Sequence, residues 1–438
     1  MRPGRGALLA ALGLAAACSA SVTSERLGAD AAVDAQTDAQ TDAAPVACRW
    51  SAPDFSRIAL VSDPADQERF RLLDAVATPD GALVAWRERS PAGDRDRVRV
   101  RRIREDGTGH PWSTAGRGSG GEVVALDPGG ALQFSMVWDA ARDGVAMLAG
   151  GATDRGACVF ARFLGDDSQQ WQAVDLDALM GFPLSGCGAL ARTGGGYSFL
   201  TGEVRALWGD QLVFLSDDGR VAGRPARLAM TGAPTERPMT RGAATGGFVA
   251  TWTEAGLGGM RGQVELHARR FDAAGATRGD DQVLQRGAGA VTDAQVLETR
   301  DGLLATWHTA RDAEGMVAAR ALGPDAAPVG EAVTFPQVPS IAGVHAAVRG
   351  SQVLVAAPTP VTFGTRIYLL VLDGRGAPTQ APLELLMNQQ AFTVGPMRVV
   401  PTARGALILF ETANGFGDAG QAGGRILALP VDCLPSAG

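Results

Sequence analysis

The chain has 438 residues, 46 % of them apolar and only 6 % aromatic; lysine is absent, so all forty basic residues are arginine, and the formal net charge is −7. This mildly acidic balance argues against nucleic acid as a partner, which demands a concentrated basic patch. Beyond the N-terminus no apolar run approaches the roughly 20 residues of a membrane span.

Met1 to Cys18 reads as a secretory signal, with Arg2 and Arg5 ahead of the apolar run Ala7 to Ala17. The run ends Leu14-Ala15-Ala16-Ala17-Cys18, and small residues directly before a Cys resemble the bacterial lipobox. That resemblance implies a lipoprotein whose mature N-terminus is a lipidated Cys18; an ordinary signal peptide cut near Cys18 is the alternative. Positions 19–47 are rich in Ala, Asp, Thr and Gln and carry almost no large apolar side chain. Such a segment cannot offset the entropy of ordering and is expected to be a disordered tether. The expected address is the bacterial cell envelope, outside the cytoplasm, with the outer membrane favoured over the inner.

From position 48 to 438 one phrase recurs: a glycine turn, then five or six apolar residues, often ending in Trp. The best copies are Asp80-Gly81-Ala82-Leu83-Val84-Ala85-Trp86, Gly246-Gly247-Phe248-Val249-Ala250-Thr251-Trp252 and Asp301-Gly302-Leu303-Leu304-Ala305-Thr306-Trp307. Looser copies start at Gly144, Gly196, Gly350 and Gly405, and successive anchors lie 63, 52, 51, 55, 48 and 55 residues apart. A period of roughly 40 to 55 residues built only of short strands and turns marks a β-propeller. In the fifth unit the strands are placed at Ala294 to Glu298, Leu303 to Trp307, Met316 to Ala321 and Glu331 to Phe335. Asp-Gly turns at Asp106-Gly107, Asp218-Gly219 and Asp373-Gly374 read as hairpins. The expected fold is all-β, a seven-bladed propeller of four-stranded antiparallel blades. Its last blade offers only three strands, near Met397 to Val400, Ala406 to Phe410 and Gly424 to Val431. Phe55 to Val61 is a surplus strand that would complete that blade and remove an open edge.

The fourth unit, Gly246-Gly247-Phe248 through Trp252 to Arg269-Arg270-Phe271-Asp272-Ala273-Ala274-Gly275, resembles a repeat of bacterial extracellular β-propeller proteins. The resemblance implies fold and export and no specific activity.

Four cysteines remain beyond Cys18, an even number that implies disulfides in an exported protein, with three possible connectivities. Cys48 precedes the surplus strand and Cys433 follows the last one, while Cys158 and Cys187 fall in neighbouring units. The expected pairs are Cys48–Cys433 and Cys158–Cys187.

The chemistry-bearing motifs are few. His110, His267, His308 and His345 show no ligand spacing, and Gly116-Arg117-Gly118-Ser119-Gly120-Gly121 lacks the strand and helix of a nucleotide loop. Neither a cofactor nor a metal is expected. One positional pattern stands out: Glu88, Glu203 and Glu254 lie seven residues past their anchors, and His308 and Glu411 six past theirs. All five fall where the second strand of a unit enters the loop to the third, a ring of polar ends suited to a cation, a sugar or a basic peptide. The expected function is that of a tethered monomeric module, more a binder than an enzyme, that recognises an envelope protein or glycan through this loop face. A carbohydrate-active hydrolase or lyase using the same carboxylates is the alternative.

Overall fold

The structure is a computed structural model that describes residues 49–51, 54–61, 69–89, 96–109, 122–124, 132–140, 144–151, 158–163, 172–176, 184–193, 195–203, 211–223, 225–228, 239–242, 246–255, 263–288, 290–311, 314–339, 344–361, 364–387, 392–414 and 425–434. All of them belong to the unit Gln36–Gly438. The signal peptide, Cys18, the 19–47 tether and Cys48 lie outside the described residues.

The chain forms antiparallel sheets in strict sequence order. Two short strands, β1 (Arg49–Trp50) and β2 (Ala59–Leu60), come first. Sheet I holds β3 (Arg69–Thr78), β4 (Gly81–Arg89), β5 (Asp96–Arg104) and β6 (Glu122–Val124). Sheet II holds β7 (Leu132–Asp139), β8 (Gly144–Gly151), β9 (Cys158–Phe163) and β10 (Gln172–Asp175). Sheet III comprises β11 (Leu184–Thr193), β12 (Gly196–Glu203), β13 (Gln211–Ser216) and β14 (Ala226–Arg227). In sheet IV are β15 (Met239–Gly242), β16 (Phe248–Ala255), β17 (Gln263–Phe271) and β18 (Thr277–Ala288). Sheet V contains β19 (Ala290–Thr299), β20 (Gly302–Arg311), β21 (Glu314–Leu322) and β22 (Pro328–Pro339). Sheet VI is β23 (His345–Arg349), β24 (Gln352–Val361), β25 (Gly364–Leu372) and β26 (Leu383–Met387). Sheet VII sets β27 (Phe392–Pro401), β28 (Gly405–Asn414) and β29 (Arg425–Leu434) side by side, with β1 and β2 both paired to β29.

The anchor glycine of the repeat opens the second strand, and the backbone explains why. A Cβ built on Gly81 would stand 2.1 Å from the Ile103 carbonyl oxygen, and one on Gly247 would stand 2.1 Å from that of Phe271. The third strand passes too close for any side chain there. Gly302 is looser, its nearest neighbour being the Leu322 carbonyl oxygen at 3.5 Å.

Each sheet is apolar on both faces, so each must bury both. Leu83, Ala85, Val98 and Val100 of sheet I pack on Met136, Val145 and Met147 of sheet II. Trp252 and Phe248 of sheet IV meet Leu212 and Phe214 of sheet III, and Trp307 of sheet V meets Val249 and Leu266 of sheet IV. Sheet VII in turn packs on sheet I, where Leu407, Leu409 and Ala428 surround Val84 and Trp86. The core is therefore divided among the joints between sheets, and the repeated Trp faces the preceding sheet. First strands of successive sheets lie against one another, β27 against β3 included.

The surplus N-terminal strand requires a correction in extent. Asp54 accepts hydrogen bonds from the backbone N–H and the hydroxyl of Ser56, and Phe55–Arg57 forms a 3-10 turn instead of extended chain. Ala59 and Leu60 pair there with Ala428 and Leu427, Val61 N–H donates to the Ile426 carbonyl at 2.9 Å, and Arg49 and Trp50 pair with Leu434 and Cys433. Arg57 reaches Asp432 at 2.5 Å, and Arg101 donates to the Val61 carbonyl at 2.6 Å.

Candidate functional site

The first strand of each sheet has one unpaired edge, whose N–H groups need acceptors. At five joints a polar side chain from the preceding sheet supplies one. Met136 N–H donates to Asp74 Oδ2 at 2.9 Å, and Leu190 N–H donates to Ser135 Oγ at 3.0 Å. Ala346 N–H donates to Gln295 Oε1 at 3.3 Å, and Val399 N–H to His345 Nδ1 at 3.0 Å. Leu72 N–H donates to Glu411 Oε2 at 3.1 Å. Asp74, Ser135, Gln295 and His345 stand at matching places, opposite Ala85, Leu148, Thr306 and Ala356 in the middle of the second strand. Arg398, opposite Leu409, holds the corresponding place in sheet VII; it donates to Asp74 at 3.2 Å and to the Leu73 carbonyl at 2.8 Å. Bulges in β3 and β19 end at Asp74 and Gln295. A bulge re-aims the side chain that follows it, here onto the neighbouring sheet.

The five residues expected to form a polar ring lie toward the same end of their second strands, but the described side chains divide. Glu88 lies one residue before the end of β4 and Glu203 closes β12, and their side chains lie outside the described ones. Glu254 is 7 % exposed and accepts a hydrogen bond from Trp252 Nε1 at 2.7 Å, on the side that packs against sheet III. His308 is 6 % exposed and shares a hydrogen bond of 3.1 Å with the Thr292 hydroxyl through Nδ1. It leaves β20 on the side opposite Trp307. Glu411 reaches forward to sheet I. The offset of one residue between the two groups puts them on opposite faces of their strands, because side chains alternate.

Burial raises the Glu411 carboxyl above its ordinary range, against the opposing pull of the Leu72 N–H and of Arg71. A raised folded-state value means that the group favours folding below its unfolded value and loses that contribution as pH rises through the folded one. Glu411→Gln keeps an oxygen for Leu72 and removes the buried charge. The variant is expected to gain stability relative to the parent as pH rises from about 4 to 7, read from urea midpoints across that range. A variant that instead falls further behind the parent as pH rises contradicts this account.

The densest chemistry among the described residues lies at the same end of sheet IV. Trp252 stacks on His267 with ring centroids 5.5 Å apart and planes 16° from parallel. Glu254 stands directly opposite Glu265, and Arg286 Nε lies 3.1 Å from Glu265 Oε1. His267 Nε2 is 3.3 Å from Glu265 Oε2. Arg269 pairs with Asp281 and lies over the Trp252 ring at 5.6 Å.

Both tyrosines are buried and hydrogen-bonded within the sheets. Tyr197 donates to buried Asp139 at 2.9 Å beneath Arg192, whose guanidinium sits 4.6 Å from the ring centre. Tyr368 is buried and accepts from Arg366 at 3.2 Å. No group of three or more His, Cys, Asp or Glu side chains able to hold a metal occurs among the described residues. None of the described helices is long and apolar enough to cross a membrane.

No family model matches the chain, and no curated protein does. Solved structures do. The polysaccharide lyase Uly1 matches over 91 % of this chain and 95 % of its own, at 10 % identity and a TM-score of 0.50. The β-propeller domain of the Trilobed protease from Pyrococcus furiosus matches over 83 % of this chain and 94 % of its own, at 6 % identity and a TM-score of 0.49. At such identities the likeness concerns the fold alone, which among the described residues is all-β and built of antiparallel sheets.

Proposed function

We propose that this chain is an exported, lipid-anchored β-propeller of seven blades, closed through its N-terminal segment, that binds a protein or glycan of the cell envelope. The anchor is Cys18, the spacer is 19–47, and the recognition face is the end of the sheets where the second strand runs into the third. Cys158 and Cys433 are both disulfide-bonded, which supports the pairs Cys158–Cys187 and Cys48–Cys433. The Trp50–Cys433 register, two residues from Cys48, supports the second pair.

The observation that carries binding over catalysis is that Glu254, Glu411 and Tyr197 each already serve a group of the protein itself. Glu254 holds an indole, Glu411 a backbone N–H, and Tyr197 the carboxylate of Asp139. A module whose polar groups are committed to its own frame recognises ligands through its loops. A carbohydrate-active hydrolase or lyase is the second reading, favoured by the shared fold with a polysaccharide lyase.

A glycan and peptide array probed with the whole chain carrying Cys18→Ser tests both. Binding to one ligand class is expected, weakened at least tenfold by Glu88→Ala or Glu203→Ala with the thermal midpoint nearly unchanged. Cleavage of an arrayed polysaccharide would replace this reading with the enzymatic one. Glu254 is unsuitable as a probe here, since its loss strands Trp252.

A further inference from the structure

We propose that the end of sheet I where β4 runs into β5 binds an acidic polysaccharide, with arginines of three adjacent strands taking its carboxylate groups. The patch lies on the proposed recognition face and gives that face its ligand class, so it rests on that reading.

The chain as a whole is acidic, with a net charge of −7, yet this end of sheet I is strongly basic. Over the first four positions of β3, the last four of β4 and the first four of β5, six residues are Arg and two, Glu88 and Asp96, are acids. The flanking Glu68, Asp94 and Arg95 leave the excess positive. Register sharpens the concentration. Arg69 stands opposite Arg89 and Arg71 opposite Arg87, two like-charged pairs in succession across one ladder. Residues directly opposite have Cβ atoms about 5 Å apart, and like charges so placed repel. Alternation puts both pairs on the face that carries Ala85. An anion seated between the two strands turns that repulsion into attraction.

Arg71 is a second and separate pointer. Its side chain is exposed, and among the described residues it makes no hydrogen bond and no ion pair. Glu411 feels its charge but directs Oε2 to the Leu72 N–H. Arginines elsewhere are engaged with the frame: Arg101 with the Val61 carbonyl, Arg270 with that of Pro324, Arg349 with that of Thr402, and Arg398 with Asp74. Glu88 stands opposite Arg97 and Asp96 opposite Arg89. Opposite charges across a ladder favour each other, so Glu88→Ala disturbs an arginine of the patch, in keeping with the effect expected of it above.

A planar guanidinium takes a carboxylate through two parallel hydrogen bonds. The two Arg pairs lie two residues apart, about 7 Å along the strand, which suits carboxylates carried on successive sugars. A nucleic acid, with its denser phosphates, needs a broader basic surface than one sheet end of a net-acidic protein.

The test uses the full chain carrying Cys18→Ser, with polygalacturonate, neutral dextran and single-stranded DNA as probes in calorimetry. Saturable binding of polygalacturonate is expected, weakening as salt is raised, with none of dextran. Arg71→Gln and Arg87→Gln should each weaken it at least about fivefold. Arg220→Gln, in the turn at the far end of sheet III and 84 % exposed, should leave it unchanged. Arg71 is exposed, so its variant is expected to keep the parent's urea midpoint. Dextran bound as tightly as polygalacturonate, DNA bound more tightly, binding unchanged in both Arg71→Gln and Arg87→Gln, or an equal loss in Arg220→Gln each overturns the proposal. Capture of a neutral glycan or a peptide on the array, with polygalacturonate unbound, leaves recognition standing and removes the acidic ligand. Silence on the array and with all three probes removes both.

Discussion

Gly247→Ala is expected to destabilise the protein by at least about 3 kcal/mol, and Gly302→Ala by roughly 1 kcal/mol, although the two glycines occupy the same place in the repeat. At Gly247 the added methyl group would lie 2.1 Å from the Phe271 carbonyl oxygen and 2.8 Å from the Asp272 Cα, both backbone atoms of the paired strand. Relief requires β16 and β17 to part, and their pairing positions Trp252. At Gly302 the nearest atom is 3.5 Å away, so the cost there is the φ of +133° alone. Urea unfolding of the two variants, with unchanged slopes, measures the difference. Equal losses would mean that the repeat needs glycine for its torsion and not for the passage of the third strand.

Trp307→Ala should cost about 3–5 kcal/mol, the range for emptying the space of a buried aromatic. The side chain is fully buried, and its neighbours Val249, Leu266 and Ala268 belong to sheet IV while Leu303 and Ala305 belong to its own sheet. Its indole N–H donates to Gln285 of β18, which the substitution leaves with one partner fewer. The cavity opens between two sheets, where collapse would require one to tilt. Trp307→Phe should recover part of the loss. A cost near 1 kcal/mol for the alanine variant would show that the joint repacks freely.

Much of this architecture was legible because it rests on residues that cannot be exchanged. The glycine that lets the third strand pass and the Trp five residues later recur as letters, and β19 to β22 cover the four strands read from the fifth unit. The N-terminal segment was read too simply. An apolar stretch from Phe55 to Val61 suits a strand, but Asp54 and Ser56 bond locally and turn the chain first. The acceptors along the unpaired edges were missed for a different reason. An N–H group needs only an oxygen or nitrogen at the right distance, so Asp74, Ser135, Gln295 and His345 all serve and no letter repeats. Their one shared signal is a polar residue opposite the middle of the second strand, which only the register reveals. Among the residues near the ends of the second strands, Glu254 and Glu411 face different neighbours because they stand one position apart in the repeat.

The pairing of the N-terminal segment with β29 carries a consequence for how the molecule is made. Ser51 bonds to the Asp432 carbonyl across 381 positions of chain, and Arg57 reaches Asp432 across 375. Most contacts in the sheets are local hairpins that form as soon as two strands have been synthesised. At roughly 5–20 residues per second, the 49–61 segment waits some 20–70 seconds for its partner. During that interval its backbone groups are unpaired and the flank of sheet I formed by Val84 and Trp86 is bare. Residues synthesised early thus acquire their partners late, and whatever shields that flank in the meantime governs how much of the chain reaches its native state.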